Sequence, residues 1–254
     1  MAPTVHIGAS GFTYDHWREV FYPRDVPQRR WLEFYAQHFD TVELNNTFYT
    51  LPRESTFEAW HDRTPKDFLF AVKLHRVVTH RYRLMHSQEW LEKFLQAAAC
   101  LSGKLGPLLV QLPPRWKADP PRLDDFLAAV PGHVPGGKAL RVAVEFRDAN
   151  WLCDAVYAVL ARHNAALVVH DLIADHPREL TADFAYLRYH GPGAAHDSNY
   201  SRRELADQAD LIGKWQAKGL EVFAYFNNDA AGHAIVNARD LKSLVEGARP
   251  AQAA

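Results

Sequence analysis

Polar side chains recur at the late end of short β-branched and aromatic runs along this chain. Glu43 and Asn45 close TVELNN, Lys73 closes FLFAVKL, Gln111 stands in PLLVQL, and Glu145 and Arg147 end RVAVEFR. His170 ends ALVVHD, Arg188 and His190 end FAYLRYH, and Tyr225 and Asn227 end EVFAYFN. These residue types suit work on a small polar substrate. Glu43 and Glu145 supply an acid–base pair and His190 a proton shuttle. Arg147 and Arg188 supply planar guanidinium clamps for a carboxylate or phosphate. Lys73, Asn45, Gln111, Tyr225, Asn227 and Asn228 orient the ligand's polar groups, and Tyr14, Trp17 and Trp151 offer aromatic faces for stacking.

Eight strands are needed to carry these groups: Val5–Ser10, Thr41–Asn46, Phe68–Leu74, Pro107–Leu112, Arg141–Arg147, Ala166–Asp171, Phe184–His190 and Glu221–Asn227. The intervening segments show helical periodicity, most clearly Gln88–Ser102, where Leu91, Phe94, Leu95, Ala98 and Leu101 form a stripe, Ser87 is placed to cap and Gly103 follows. Further stripes lie in RRWLEFYAQHF, DAVYAVLARHN, ELADQADLIGKW and ARDLKSLVEG. Eight strand–helix units in 254 residues predict a single α/β domain of the (β/α)₈ TIM-barrel type over residues 1–247, with a flexible tail at 248–254. An open doubly wound sheet is the competing fold. Its dinucleotide form lacks the Gly-x-Gly-x-x-Gly turn, since Gly8-Ala9-Ser10-Gly11 has another spacing. Leu172–Asp183 is too short for a full helix, so a shortened or missing helix is expected between strands six and seven.

Side chains alternate along a strand, so Glu43 and Asn45 share a register opposite Val42 and Leu44, and Glu145 and Arg147 oppose Val144 and Phe146. A face packed under helices cannot hold unpaired charge cheaply, which assigns the polar register to the barrel axis. The strand-end groups are therefore expected to converge at the carboxyl ends of the strands, where barrel active sites are built. Interior ion pairs such as Lys73–Glu145 or Glu43–Arg188 would be the purely structural use of the same residues.

Composition narrows the setting. With 29 Lys+Arg against 30 Asp+Glu the net charge is −1, so no overall field recruits nucleic acid or an anionic membrane. Two cysteines are too few for a disulfide scaffold or a cysteine-built zinc site and fit a reducing cytoplasm. MAPTVHIGASGF lacks a leader pattern and no window approaches the roughly 20 apolar residues of a spanning helix, so a soluble, unprocessed protein without membrane partners is expected. Phosphate-loop, Gly-x-Ser-x-Gly and Cys-x-x-Cys motifs are missing from the sequence. Of 14 histidines, His75, His80, His170 and His190 have positions that suggest function.

The stretches IGASGFTYDHWREVFYP, FYAQHFDTVELNNTFYTLP, FLFAVKLHRVVTH, LGPLLVQLPPRW, RVAVEFRDANW, YLRYHG and VFAYFNNDAAGHAIVNA span nearly the whole chain. On them the sequence resembles the family catalogued as domain of unknown function 72, whose members are (β/α)₈ barrels. The resemblance implies that fold and names no activity. It emphasises Tyr14, Trp17, Glu43, Asn45, Thr47, Tyr49, Lys73, Thr79, His80, Gln111, Glu145, Arg147, Trp151, Arg188, His190, Asn227 and Asn228; Ala9 and Phe12 depart from the family's more usual Thr and Trp.

Three functions fit these residues. The first is an enzyme or ligand-binding barrel for a small sugar- or phosphate-containing molecule, using Glu43, Glu145 and His190 without a cofactor. The second is a divalent-metal phosphodiesterase or nucleic-acid-binding barrel similar to apurinic endonucleases, drawing on His75, His170, His190, Glu43, Glu145 and Asp171, with basic clusters at Arg76–Arg83 and Arg202–Arg203 near phosphates. It lacks a His-Glu-x-x-His spacing. The third is a non-catalytic binding protein. Whether the chain is an enzyme, and its oligomeric state, are left open. His190–Leu205, with its glycines and a helix entry near Ser201, is a further anion-binding candidate.

Overall fold

The computed structural model describes residues 4–192 and 198–247. Eight strands, β1 (Val5–Ala9), β2 (Thr41–Leu44), β3 (Leu69–Lys73), β4 (Leu105–Gln111), β5 (Val142–Glu145), β6 (Ala166–His170), β7 (Phe184–Tyr189) and β8 (Glu221–Phe226), form one sheet in the order β1-β8-β7-β6-β5-β4-β3-β2. The helices are α1 (Trp31–Ala36), α2 (Asn46–Tyr49), α3 (Glu54–Asp62), α4 (Gln88–Ala98), α5 (Pro120–Ala129), α6 (Asp154–Arg162), α7 (Arg202–Ala217) and α8 (His233–Gly247). This is the (β/α)₈ barrel fold read from the sequence. Residues 171–183 carry no helix, as their length requires. The tail at 248–254 and the centre of the His190–Leu205 segment, residues 193–197, lie outside the described residues.

Local chemistry sets the helix boundaries. Asp119 caps α5 by accepting from the Arg122 N–H, with prolines in the first turn. Ser201 and Glu204 form a reciprocal capping box at the start of α7. The expected cap at α4 is not made: the Ser87 hydroxyl donates to the Leu84 carbonyl at 3.2 Å. Gly103 does not stop the helix either, since a 3₁₀ segment continues over Ala99–Lys104. Leu91, Phe94, Leu95 and Ala98 form the buried stripe of α4. Strand residues are buried on both faces, without exception in β4 and β7, because one face meets the interior and the other the helices.

Contacts divide the chain into two units, one of residues 1–42, 170–172 and 184–254, the other of 43–169 and 173–183. In the first, β1 pairs with β8 and β7 with β8, all parallel. In the second, β3 pairs with β4, β4 with β5, and β5 with β6.

Within the first unit a single hydroxyl joins the start of β2 to β1. The Tyr35 hydroxyl, on α1, accepts from the Ala9 N–H at 2.8 Å and donates to the Thr41 carbonyl at 3.0 Å. The approach is close enough that a Cβ on Gly8 would stand 2.3 Å from the Thr41 oxygen and 2.9 Å from the Tyr35 hydroxyl. Gly8→Ala should therefore cost at least about 2 kcal/mol through backbone displacement, and Tyr35→Phe about 1–3 kcal/mol through the orphaned Ala9 N–H. Urea denaturation at unchanged m-value measures both. A Gly8→Ala loss below about 0.5 kcal/mol would show that the strands separate freely.

Candidate functional site

The strands end a residue or two earlier than the sequence runs suggest, so several predicted site residues sit on the loops just past them. Arg147, His190 and Asn227 follow β5, β7 and β8, and Asn45 lies in right-handed helical conformation (φ −84°, ψ −23°) before α2. Asn45 therefore does not share a strand register with Glu43.

In the second unit, the last residues of β3, β4 and β5 are Lys73, Gln111 and Glu145, and the ladder sets Gln111 beside Glu145. Arg147 Nε donates to Glu145 Oε1, so the guanidinium of the loop covers the carboxylate of the strand end. Glu145 and Glu43 have no exposed surface, whereas the Arg147 side chain keeps 20%. Both carboxylates expected to act as an acid–base pair are thus out of contact with solvent in this structure. Lys73 Nζ lies 4.3 Å from the centre of the Phe48 ring, a cation–π contact. The Thr47 hydroxyl sits 2.8 Å from the Leu44 carbonyl and 2.7 Å from that of Lys73, tying the ends of β2 and β3 together. Gln111 is buried and donates to the Leu112 carbonyl at 3.0 Å.

Beyond β3 the chain enters a π-helical turn over Val77–Arg81, a geometry often found at functional sites. His80 lies in it with Nδ1 2.9 Å from the Thr79 hydroxyl and its ring 5.0 Å from that of Phe48. Partial burial, then the charges of Lys73, Arg76 and Arg147, lower its pKa to about 4. Three cations surround a ring that is neutral at pH 7. His75 is a different case: Nε2 donates to the Tyr49 carbonyl at 3.2 Å, Nδ1 accepts from the Val77 N–H at 3.2 Å, and the ring stacks on Trp90. Both nitrogens are used in holding the turn, which removes His75 from the metal-ligand set. Among the described residues no group of three His, Cys, Asp or Glu side chains is placed to hold a metal ion.

His176, which sequence reasoning passed over, belongs beside this group. It stands in the helix-free connection after β6, donates from Nδ1 to the Pro177 carbonyl at 2.8 Å, and has its pKa lowered by burial against the pull of Glu145. The only signal was the shortness of its connection, which forces a histidine there to stay near the strand ends.

The first unit holds a hydrogen-bonded network. Asp171 Oδ1 accepts from the His190 N–H at 2.9 Å, and Oδ2 from the Tyr200 hydroxyl, which itself accepts from the Gly191 N–H at 2.8 Å. Burial holds the Asp171 carboxyl above the usual range despite these donors. The His190 ring has Arg188 3.4 Å from Nε2 and the Asn227 amide 3.1 Å from Nδ1. Arg188 and His190 have no exposed surface. Asn228 donates to Ser198 O and to Asn237 Oδ1, at 2.8 and 2.9 Å, and so anchors the chain leading into α7.

Three aromatic residues expected to face a ligand are packed inside the protein. Trp17 is fully buried, 4.6 Å from the Tyr14 ring, with its N–H on the Asp229 carbonyl. Trp151 is fully buried, stacked on Phe146, with its N–H on the Trp116 carbonyl. Neither has a free face for a ligand; both plug loops. Tyr225 is fully buried, its hydroxyl paired with Thr41 Oγ1 at 2.6 Å at the first residue of β2. Tyr14 stays half-buried, its hydroxyl donating to Ser10 O at 2.6 Å.

Fold and strand-end chemistry define a (β/α)₈ barrel protein with mixed-charge groups just beyond its strands. The family model described as "Protein of unknown function DUF72" matches residues 6–254, and the chain belongs to that family. It is 24% identical to UPF0759 protein YunF of Bacillus subtilis over 95% of both chains. It is 33% identical to UPF0759 protein YecE of Escherichia coli over 43% of this chain, a match that spans 41% of that relative's length. A DUF72 family crystal structure from Thermotoga maritima superposes with a TM-score of 0.84 at 28% identity, covering 96% of this chain and 99% of that one.

The surroundings of two groups generate measurable outcomes. The His80 imidazole should titrate near pH 4 by NMR; a midpoint near the ordinary histidine value of about 6.5 would remove burial and the three cations as its surroundings. Because the unfolded chain takes up this proton first, stability should fall as pH drops from about 6.5 toward 4, and His80→Gln should flatten that slope. Tyr200→Phe strips partners from Asp171 and the Gly191 N–H and should cost about 1–3 kcal/mol in urea melts.

Proposed function

We propose that this protein binds a small polar, anionic molecule, of the sugar-phosphate kind, at the carboxyl ends of β3–β5 through Lys73 and Arg147. The observation that carries the reading is the Arg147–Glu145 pair: a fully buried carboxylate holds a partly exposed guanidinium at the strand ends, and the charges of Arg147 and Lys73 both reach His80. A guanidinium fixed in this way is pre-organised for bidentate contact with phosphate or carboxylate. Glu145 is here a positioning residue. Catalysis by it would follow only once an incoming anion drew Arg147 off the carboxylate.

Fructose 6-phosphate should raise the melting temperature and bind measurably by calorimetry, while fructose does not. Arg147→Met should weaken that binding about tenfold, or about 1.4 kcal/mol, with the fold unchanged. No stabilisation of the parent protein by phosphorylated or carboxylated sugars would overturn the reading.

A further inference from the structure

The connection from β3 to α4 contains a second set of cations that the reading above leaves unused. The turn at Val77–Arg81 is closed by the Tyr82 N–H donating to the Val77 carbonyl at 2.9 Å. This i→i+5 closure brings residues five apart to one side of the turn, and Arg76 and Arg81 have that spacing. They line, with His75, Val77 and His80, a concavity of about 400 Å³. Both arginines are exposed, and neither forms an ion pair among the described residues.

The loop that carries them is firmly seated. Val78, Thr79 and Leu84 are buried beneath it, and the Leu84 N–H donates to the Val78 carbonyl at 2.9 Å. Arg83, Leu84 and His86 are left-handed, at φ 48°, 69° and 46°, a strain that non-glycine residues take on where the surrounding structure imposes it. A merely solvated basic loop has no need of such backbone.

His80 joins this concavity to the first set of cations. It lines the cavity, and it feels the charges of Lys73 and Arg147 as well as Arg76. Nδ1 is engaged by the Thr79 hydroxyl, and in the tautomer that accepts from this hydroxyl Nε2 carries the proton and is a hydrogen-bond donor. We infer that the ligand is doubly anionic: one group is held by Lys73 and Arg147, the second enters the concavity between Arg76 and Arg81, and the His80 imidazole lies between them. This rests on the anion-binding reading above and adds the second charged group to it.

Calorimetry with fructose 1,6-bisphosphate and fructose 6-phosphate, on the parent protein, R76Q/R81Q and Arg147→Met, tests it at low salt. The bisphosphate should bind the parent at least tenfold tighter than the monophosphate. R76Q/R81Q should erase that advantage while leaving monophosphate affinity within twofold, and Arg147→Met should weaken both. Equal affinities in the parent, or an advantage that survives R76Q/R81Q, would overturn the second subsite and leave the first reading standing. Failure of both sugars to bind the parent would overturn both. A short single-stranded oligonucleotide binding tighter than the bisphosphate, and weakened by R76Q/R81Q, would reassign the concavity to a nucleic-acid backbone.

Discussion

The Tyr35 hydroxyl occupies the place where the sheet order leaves β1 and β2 as its two ends. It takes one N–H from β1 and gives one hydrogen to a carbonyl of β2, so an oxygen atom of a helix side chain does the work of a ladder bond. Unpaired backbone groups buried at such a seam would each cost on the order of 1–3 kcal/mol, and glycine at position 8 is what allows the close approach. Ala9 and Thr41 are thereby held within hydrogen-bond reach of one oxygen. Everything carried at the late end of β1 depends on that spacing.

Strand count, order and the missing helix were legible because each strand is a short apolar run, and a barrel buries both faces of its strands. Charged groups at the ends of those runs were legible for the same reason: interior registers tolerate no idle charge, so Lys73, Glu145 and Arg188 stand out. The aromatic residues were not. Trp17 and Trp151 have the composition of a stacking wall, but an indole that plugs a loop and one that faces a ligand are the same letter. The difference lies in partners far along the chain, Asp229 and Trp116. Tyr35 was likewise hidden, since in the stripe of α1 it reads as one more apolar contact. Exposure was illegible too: parity placed Glu43 and Glu145 on the useful face but could not show that both are sealed.

A buried acid beneath a partly exposed base marks the strand ends of the second unit. Glu145 is paired with the partly exposed Arg147, and burial, reinforced by the nearby cations, keeps the His80 ring neutral at physiological pH. A histidine kept uncharged among cations contributes a directional N–H without adding repulsion or requiring its own counter-ion. In the first unit, burial and hydrogen bonding pull the Asp171 carboxyl in opposite directions, while its two oxygens hold the His190 N–H and the Tyr200 hydroxyl.

The helix missing after β6 leaves that strand supported in another way. The Thr181 hydroxyl donates to the Ala165 carbonyl at 2.7 Å and accepts from the Leu167 N–H at 2.9 Å, and Val169 is only half-buried. The chain after β6 is irregular, and the Thr181 hydroxyl in it serves the backbone at the start of the strand. Loss of that one hydroxyl would therefore leave the Leu167 N–H without its partner inside a buried strand.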